Sequence, residues 1–138
     1  MPPVNMTDSR LRRDYFFLSF VPSVLSSTSI RLGVLLTERG TFASEGRLRF
    51  AGVKFVENLQ SLAEMGADEF LVDEAISEIT AVVHRANATG GVDELDAVLQ
   101  TLLNANSGLC AFEYSCEQVG DPNVELQALF DRLVNSSS

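Results

Sequence analysis

The sequence predicts an α+β fold, a mainly antiparallel sheet of about four strands with helices packed on one face. Three observations carry this reading. Between residues 14 and 55, apolar residues fall into three strand-like runs separated by short joints. From Val56 the apolar spacing becomes helical and continues through three segments. A run of period two then returns at residues 109–119, ahead of a closing helix, so the order is βββαααβα. Consecutive strands joined by short connections pair antiparallel.

Each element has its own signature. In residues 14–22, DYFFLSFVP, Tyr15, Phe17 and Val21 alternate with Phe16, Leu18 and Phe20. A strand apolar on both sides is internal to a sheet or covered on both faces, and Pro22 ends it. Residues 29–37, SIRLGVLLT, place Ile30, Leu32, Val34 and Leu36 on one face. Residues 47–55, RLRFAGVKF, alternate until Gly52, where a shift of the apolar phase predicts a bulge. Val56, Leu59, Leu62 and Ala63 then follow helical spacing, with Gly66 as a stop. Asp68 is expected to cap a second helix running to Gly90-Gly91, and Asp93 a third ending at Ser107-Gly108. In LCAFEYSCEQV, Cys110, Phe112, Tyr114 and Cys116 share one face, while Ala111, Glu113, Ser115 and Glu117 form a wet one. Asp121 as cap and Pro122 at the first helical position start the last helix. The expected organisation is a flexible arm over residues 1–12, a single domain over 13–134 and a disordered tail over 135–138.

Composition bounds the function. A chain of 138 residues, 46% hydrophobic and 21% charged, is ordinary globular material that buries a core without staples. No apolar run approaches the roughly 20 residues of a membrane helix. The opening MPPVNMTDSRLRR has no apolar stretch behind its charges, unlike a secretory signal. Cys110 and Cys116, six positions apart on one strand, are too far apart to bridge and are expected as free thiols in a reducing cytoplasm. The charge is split. Residues 1–54 carry eight Arg and Lys against four acids, and residues 55–138 carry two against fifteen. The two halves are expected to fold together with their charges paired along the seam or solvated; a bipolar partner is the other reading.

Several of these stretches together resemble a known family. They are the opening Asp14-Tyr15 strand, Val21-Pro22, Leu32-Gly33-Val34-Leu35-Leu36, and Gly52-Val53-Lys54-Phe55 running into a helix. The close, from Asp121-Pro122-Asn123-Val124 to Leu133-Val134, belongs with them. The chain resembles the bacterial domain-of-unknown-function family 3037 over roughly residues 13–134. The resemblance implies no activity; it implies a partner, because genes of that family often stand beside a kinase related to the HipA toxins. The family commonly has Arg-Gly-Glu between the first two strands and an Asn in the second. Here Ser26-Ser27-Thr28-Ser29 and Arg31 stand near those places.

The residues themselves argue against catalysis. A nucleophilic serine needs a base within reach, and His84, the one histidine, falls on the polar side of the second helix with Asp73, Ser77 and Thr80. The Ser26–Ser29 joint therefore reads as a hairpin loop, with phosphorylation by a neighbouring kinase as the alternative. One His and two distant Cys make no zinc set. The acids Asp73, Glu74 and Glu78, and Asp93, Glu94 and Asp96, read as solvated helix surface. No phosphate-binding glycine motif is present, and no cofactor is expected.

The expected function is that of a cytoplasmic, non-catalytic accessory or protein-interaction domain, with a HipA-like kinase as the partner the family context implies. Arg31, Arg47 and Arg49 are the candidate partner-binding residues, read as projecting from one sheet face toward an acidic surface. The alternative is a nucleic-acid-binding accessory protein using the same arginines. The acidic second half argues against it, as do aromatics that alternate toward the core.

Overall fold

The computed structural model describes residues 11–22, 29–40, 48–57, 62, 64, 66–114 and 120–136. Strands β1 (Leu11–Val21), β2 (Ile30–Gly40) and β3 (Leu48–Phe55) come first. Helices α1 (Glu69–Thr89) and α2 (Asp93–Asn104), strand β4 (Gly108–Tyr114) and helix α3 (Pro122–Ser136) follow. The four strands form one antiparallel sheet in the order β3-β2-β1-β4. The α+β class and the antiparallel four-stranded sheet are as expected. Leu62 and Glu64 are helical, but most of the helix expected from Val56 lies outside the described residues.

The sheet is apolar on both faces where it is central, and each face takes its own helices. On the first face Phe16, Leu18, Leu35, Ala51 and Ala111 meet Ile79, Val82, Val83 and Ala86 of α1 and Leu95, Leu99 and Leu102 of α2. On the second, Tyr15, Val34 and Leu36 meet Leu126, Leu129 and Leu133 of α3. The expectation that the helices share one face is therefore corrected for α3. The cause is local: β1 and β2 present large apolar side chains in both directions, and successive strand residues point oppositely, so one helical layer leaves Tyr15, Val34 and Leu36 uncovered.

Two irregularities set the register. Leu18 pairs with Gly33 while Ser19 pairs with Arg31, which leaves Leu32 as an extra residue in β2. Glu38 pairs with Phe50 while Arg39 pairs with Leu48, which leaves Arg49 as an extra residue in β3. The bulge in β3 thus sits at Arg49 and not at Gly52. Gly52 has a different reason: a Cβ there would lie 2.7 Å from Leu126 Cδ2 and 2.8 Å from Phe50 Cζ. Its missing side chain is what lets α3 approach the sheet.

Helix ends follow capping chemistry with one exception. The Asp68 carboxylate accepts from the Phe70 and Leu71 amides, and Gly90 closes α1 in the left-handed conformation, φ 78°. The Asp121 carboxylate accepts from the Asn123 amide at 2.8 Å, ahead of Pro122. At α2 the N-cap is Val92, with no side-chain bond; Asp93 sits one residue further in, beside Glu94 and Asp96. There the three acids face the positive end of the helix dipole. Two boundaries also move. β1 begins at Leu11, inside the expected arm, and α3 runs to Ser136, inside the expected tail.

Candidate functional site

The arginines of the first half divide into engaged and unengaged ones. Arg13 points to the second face and is nearly buried. Its Nε donates to Glu38 at 2.5 Å and its Nη1 to Glu125 at 2.6 Å. Its Nη2 donates to the Gly120 carbonyl at 2.5 Å, and the Tyr15 hydroxyl donates to Glu125 at 2.7 Å. Burial pulls the Arg13 pKa down, but hydrogen bonds and charge from Glu38 and Glu125 outweigh it and raise it above its ordinary value. Arg39 reaches Asp96 of α2 with both terminal nitrogens, at 3.0 and 3.4 Å. Both arginines therefore join the basic first half to acids of the second, as the split charge suggests.

Arg31 is different. It is exposed on the second face, and its guanidinium carbon lies 4.4 Å from the centroid of the Phe17 ring. The same ring meets Tyr114 edge-on, with centroids 4.9 Å apart and planes at 72°. Phe112, the β4 partner of Phe17, is 49% exposed. Helix α3 lies over β2 and β3; Phe17 and Tyr114 are half-buried at the border of the cluster it covers, while Phe112 lies beyond it. The result is a partly open aromatic and cationic surface across β2, β1 and β4, in which Arg31 and Phe112 are exposed and Phe17 and Tyr114 half-buried. The reading that aromatics near the arginines turn into the core is corrected at Phe112; Phe17 and Tyr114 do pack against the second-face core, at its border. The sequence pattern did put Phe112 and Tyr114 on one face; what it lacked was where α3 stops.

The other two candidate arginines are not gathered there. Arg49 is exposed at its bulge, level with Glu38 and Arg39, about 25 Å from Arg31 along the strand direction. Arg47 lies outside the described residues, as do Cys116 and the joint apart from Ser29, which is exposed at the start of β2. Arg31 and Arg49 therefore mark opposite ends of the sheet.

Groups with chemical potential elsewhere are few among the described residues. His84 is exposed on α1. Cys110 is a buried free thiol whose Sγ donates to the Ala105 carbonyl at 3.5 Å, and burial pushes its pKa up. That opposes the thiolate a nucleophile needs. A cleft of about 290 Å³ lies between the first face and α2, floored by Phe16, Leu99 and Leu103 and rimmed by Arg12, Asp14, Arg39, Asp96 and Glu113. Arg12 is held by Asp14 at 3.1 Å and Arg39 by Asp96. The rim brings carboxylates and guanidiniums together but no histidine, thiol or hydroxyl. No group of three or more His, Cys, Asp or Glu is placed to hold a metal ion among the described residues. No helix among them is long and apolar enough to cross a membrane. Comparison with family models, curated proteins and solved structures gives no match.

Proposed function

We propose that this chain is a non-catalytic, cytoplasmic protein-interaction domain, and that Arg31 with Phe17, Phe112 and Tyr114 forms the centre of its binding surface. The observation that carries the reading is the exposed Arg31 guanidinium held over Phe17, with Phe112 half open beside it. Arginine and aromatic side chains dominate the energetics of protein interfaces, because they bury large area and keep a polar tip. Stacking on Phe17 holds the guanidinium in place while its N–H groups remain available to a carboxylate. The fitting partner is the acidic surface of another protein; the resemblance to family 3037 makes a HipA-like kinase the first one to try. Arg47 and Arg49 belong to this reading as contacts of a partner long enough to span the sheet.

The test is affinity capture from native lysate after nuclease treatment, with wild type, Arg31→Glu and Arg49→Glu. Arg31→Glu is expected to lose the captured protein, and Arg49→Glu to weaken its capture by a smaller factor. Capture that is unchanged by Arg31→Glu removes the reading.

A second reading has its own support. Aromatic rings beside an arginine on an antiparallel sheet suit stacking of single-stranded bases. The net charge of −9 works against it at long range. Binding of generic single-stranded RNA or DNA that falls steeply with salt and disappears in Phe112→Ser is the outcome that favours it.

A further inference from the structure

The two edges of the sheet are treated differently. At β3 the first part of the outer edge is engaged by the end of α1. The Leu48 amide donates to the Gly90 carbonyl at 3.0 Å, and the Ala51 amide to Asn87 Oδ1 at 2.9 Å. At β4 no backbone or side-chain partner stands on the outer edge among the described residues. The strand also lacks the usual guards of an exposed edge. Its seven residues, GLCAFEY, contain no Lys, no Pro and one charge, Glu113. On it stands Phe112, one of four large hydrophobic residues exposed on the described surface.

We infer that β4 is an interface between two copies of this chain, which pair antiparallel across a twofold axis into one eight-stranded sheet. The sequence of the strand is compatible with itself in that arrangement. With the axis through Ala111, the middle residue, Cys110 faces Phe112 of the copy and Glu113 faces Leu109. No two like charges are then directly opposed, and the two Phe112 rings are diagonal neighbours on the second face. One strand pair alone buries less than a standard interface, so the dimer is in rapid exchange with monomer. The remaining charge of each copy opposes approach at long range, so added salt strengthens the dimer by screening. That sign is opposite to the one expected for a complex held by Arg31 and an acidic partner. The inference does not depend on the proposed function, although pairing would place two Arg31–Phe17 surfaces on one continuous sheet face.

Sedimentation equilibrium of the full chain over a wide concentration range, at low and moderate salt, tests it. The expected result is a mass rising from 15.0 kDa toward twice that value, earlier at moderate salt. Phe112→Lys, which installs an edge guard on an exposed position, is expected to weaken association about tenfold. Arg31→Glu should leave it in place. Amide hydrogen exchange supplies a second readout. The outward-facing amides of β4 should become protected as concentration rises, in wild type and not in Phe112→Lys. A monomer at all concentrations and salts, association unchanged by Phe112→Lys, or β4 protection independent of concentration overturns the inference.

Discussion

Thr37 is fully buried on the first face of the sheet, and its hydroxyl has no hydrogen-bond partner among the described residues. A buried hydroxyl without a partner costs on the order of 1–3 kcal/mol. Thr37→Val keeps the shape and removes the cost, so the variant is expected to be more stable by about 1 kcal/mol in urea denaturation. Cys110 gives a second test at this scale. Its burial disfavours the thiolate, so Cys110 of the folded chain should react with iodoacetamide slowly, with rapid reaction at that residue only in denaturant, as read by peptide mapping. The sign for stability follows from the same shift. A thiol raised by folding favours the native state below the ordinary thiol range, and that contribution is lost as the pH rises through the raised value. Both residues sit where a strand pattern places them, but whether the hydroxyl finds an acceptor depended on neighbours from other elements.

At the scale of elements, α3 is held to the second face by two devices. Gly52 lets Leu126 approach the sheet, and Arg13 bridges Glu38 of β2 to Glu125 in the first turn of α3. Gly52→Val, which overpacks this contact, is expected to destabilise by about 1–3 kcal/mol. Arg13→Met leaves two carboxylates together in a nearly buried position, and loss of a buried ionic partner costs about 3–5 kcal/mol. The sharper readout is local: amide exchange should accelerate in α3 before it does in α1 and α2. Equal acceleration in all three helices would show that Arg13 supports the core as a whole. Much of α3 was legible beforehand, from the Asp121 cap, Pro122 and the stripe Leu126, Leu129 and Leu133. Its face was not, because an amphipathic stripe states that a helix is covered but not by which side of a sheet.

For the whole molecule, the opposed charges of the two halves have partly a structural use. Arg13–Glu125 and Arg39–Asp96 join strands of the first half to helices of the second. Arg31 is left exposed, with the Phe17 ring as its contact among the described residues. The complex formed by that surface should therefore weaken as salt rises, while the pairing of β4 strengthens. Measuring both on one preparation separates the two surfaces, since Arg31→Glu affects only the first, Phe112→Lys affects both, and the response to salt has opposite sign.

Alternation of apolar residues, the change of period at Val56 and the caps Asp68, Gly90 and Asp121 are local properties of the chain. They determined the elements, their order and the antiparallel pairing, because period and capping act over a few neighbouring residues. Strand order, the placement of α3, the bulge at Arg49 and the exposure of Phe112 were decided only by the tertiary structure. These depend on which distant surfaces meet. Arg31 and Arg49 were equal in the sequence, and packing separated them: Arg31 lies over a ring and Arg49 at a bulge about 25 Å away along the strand direction.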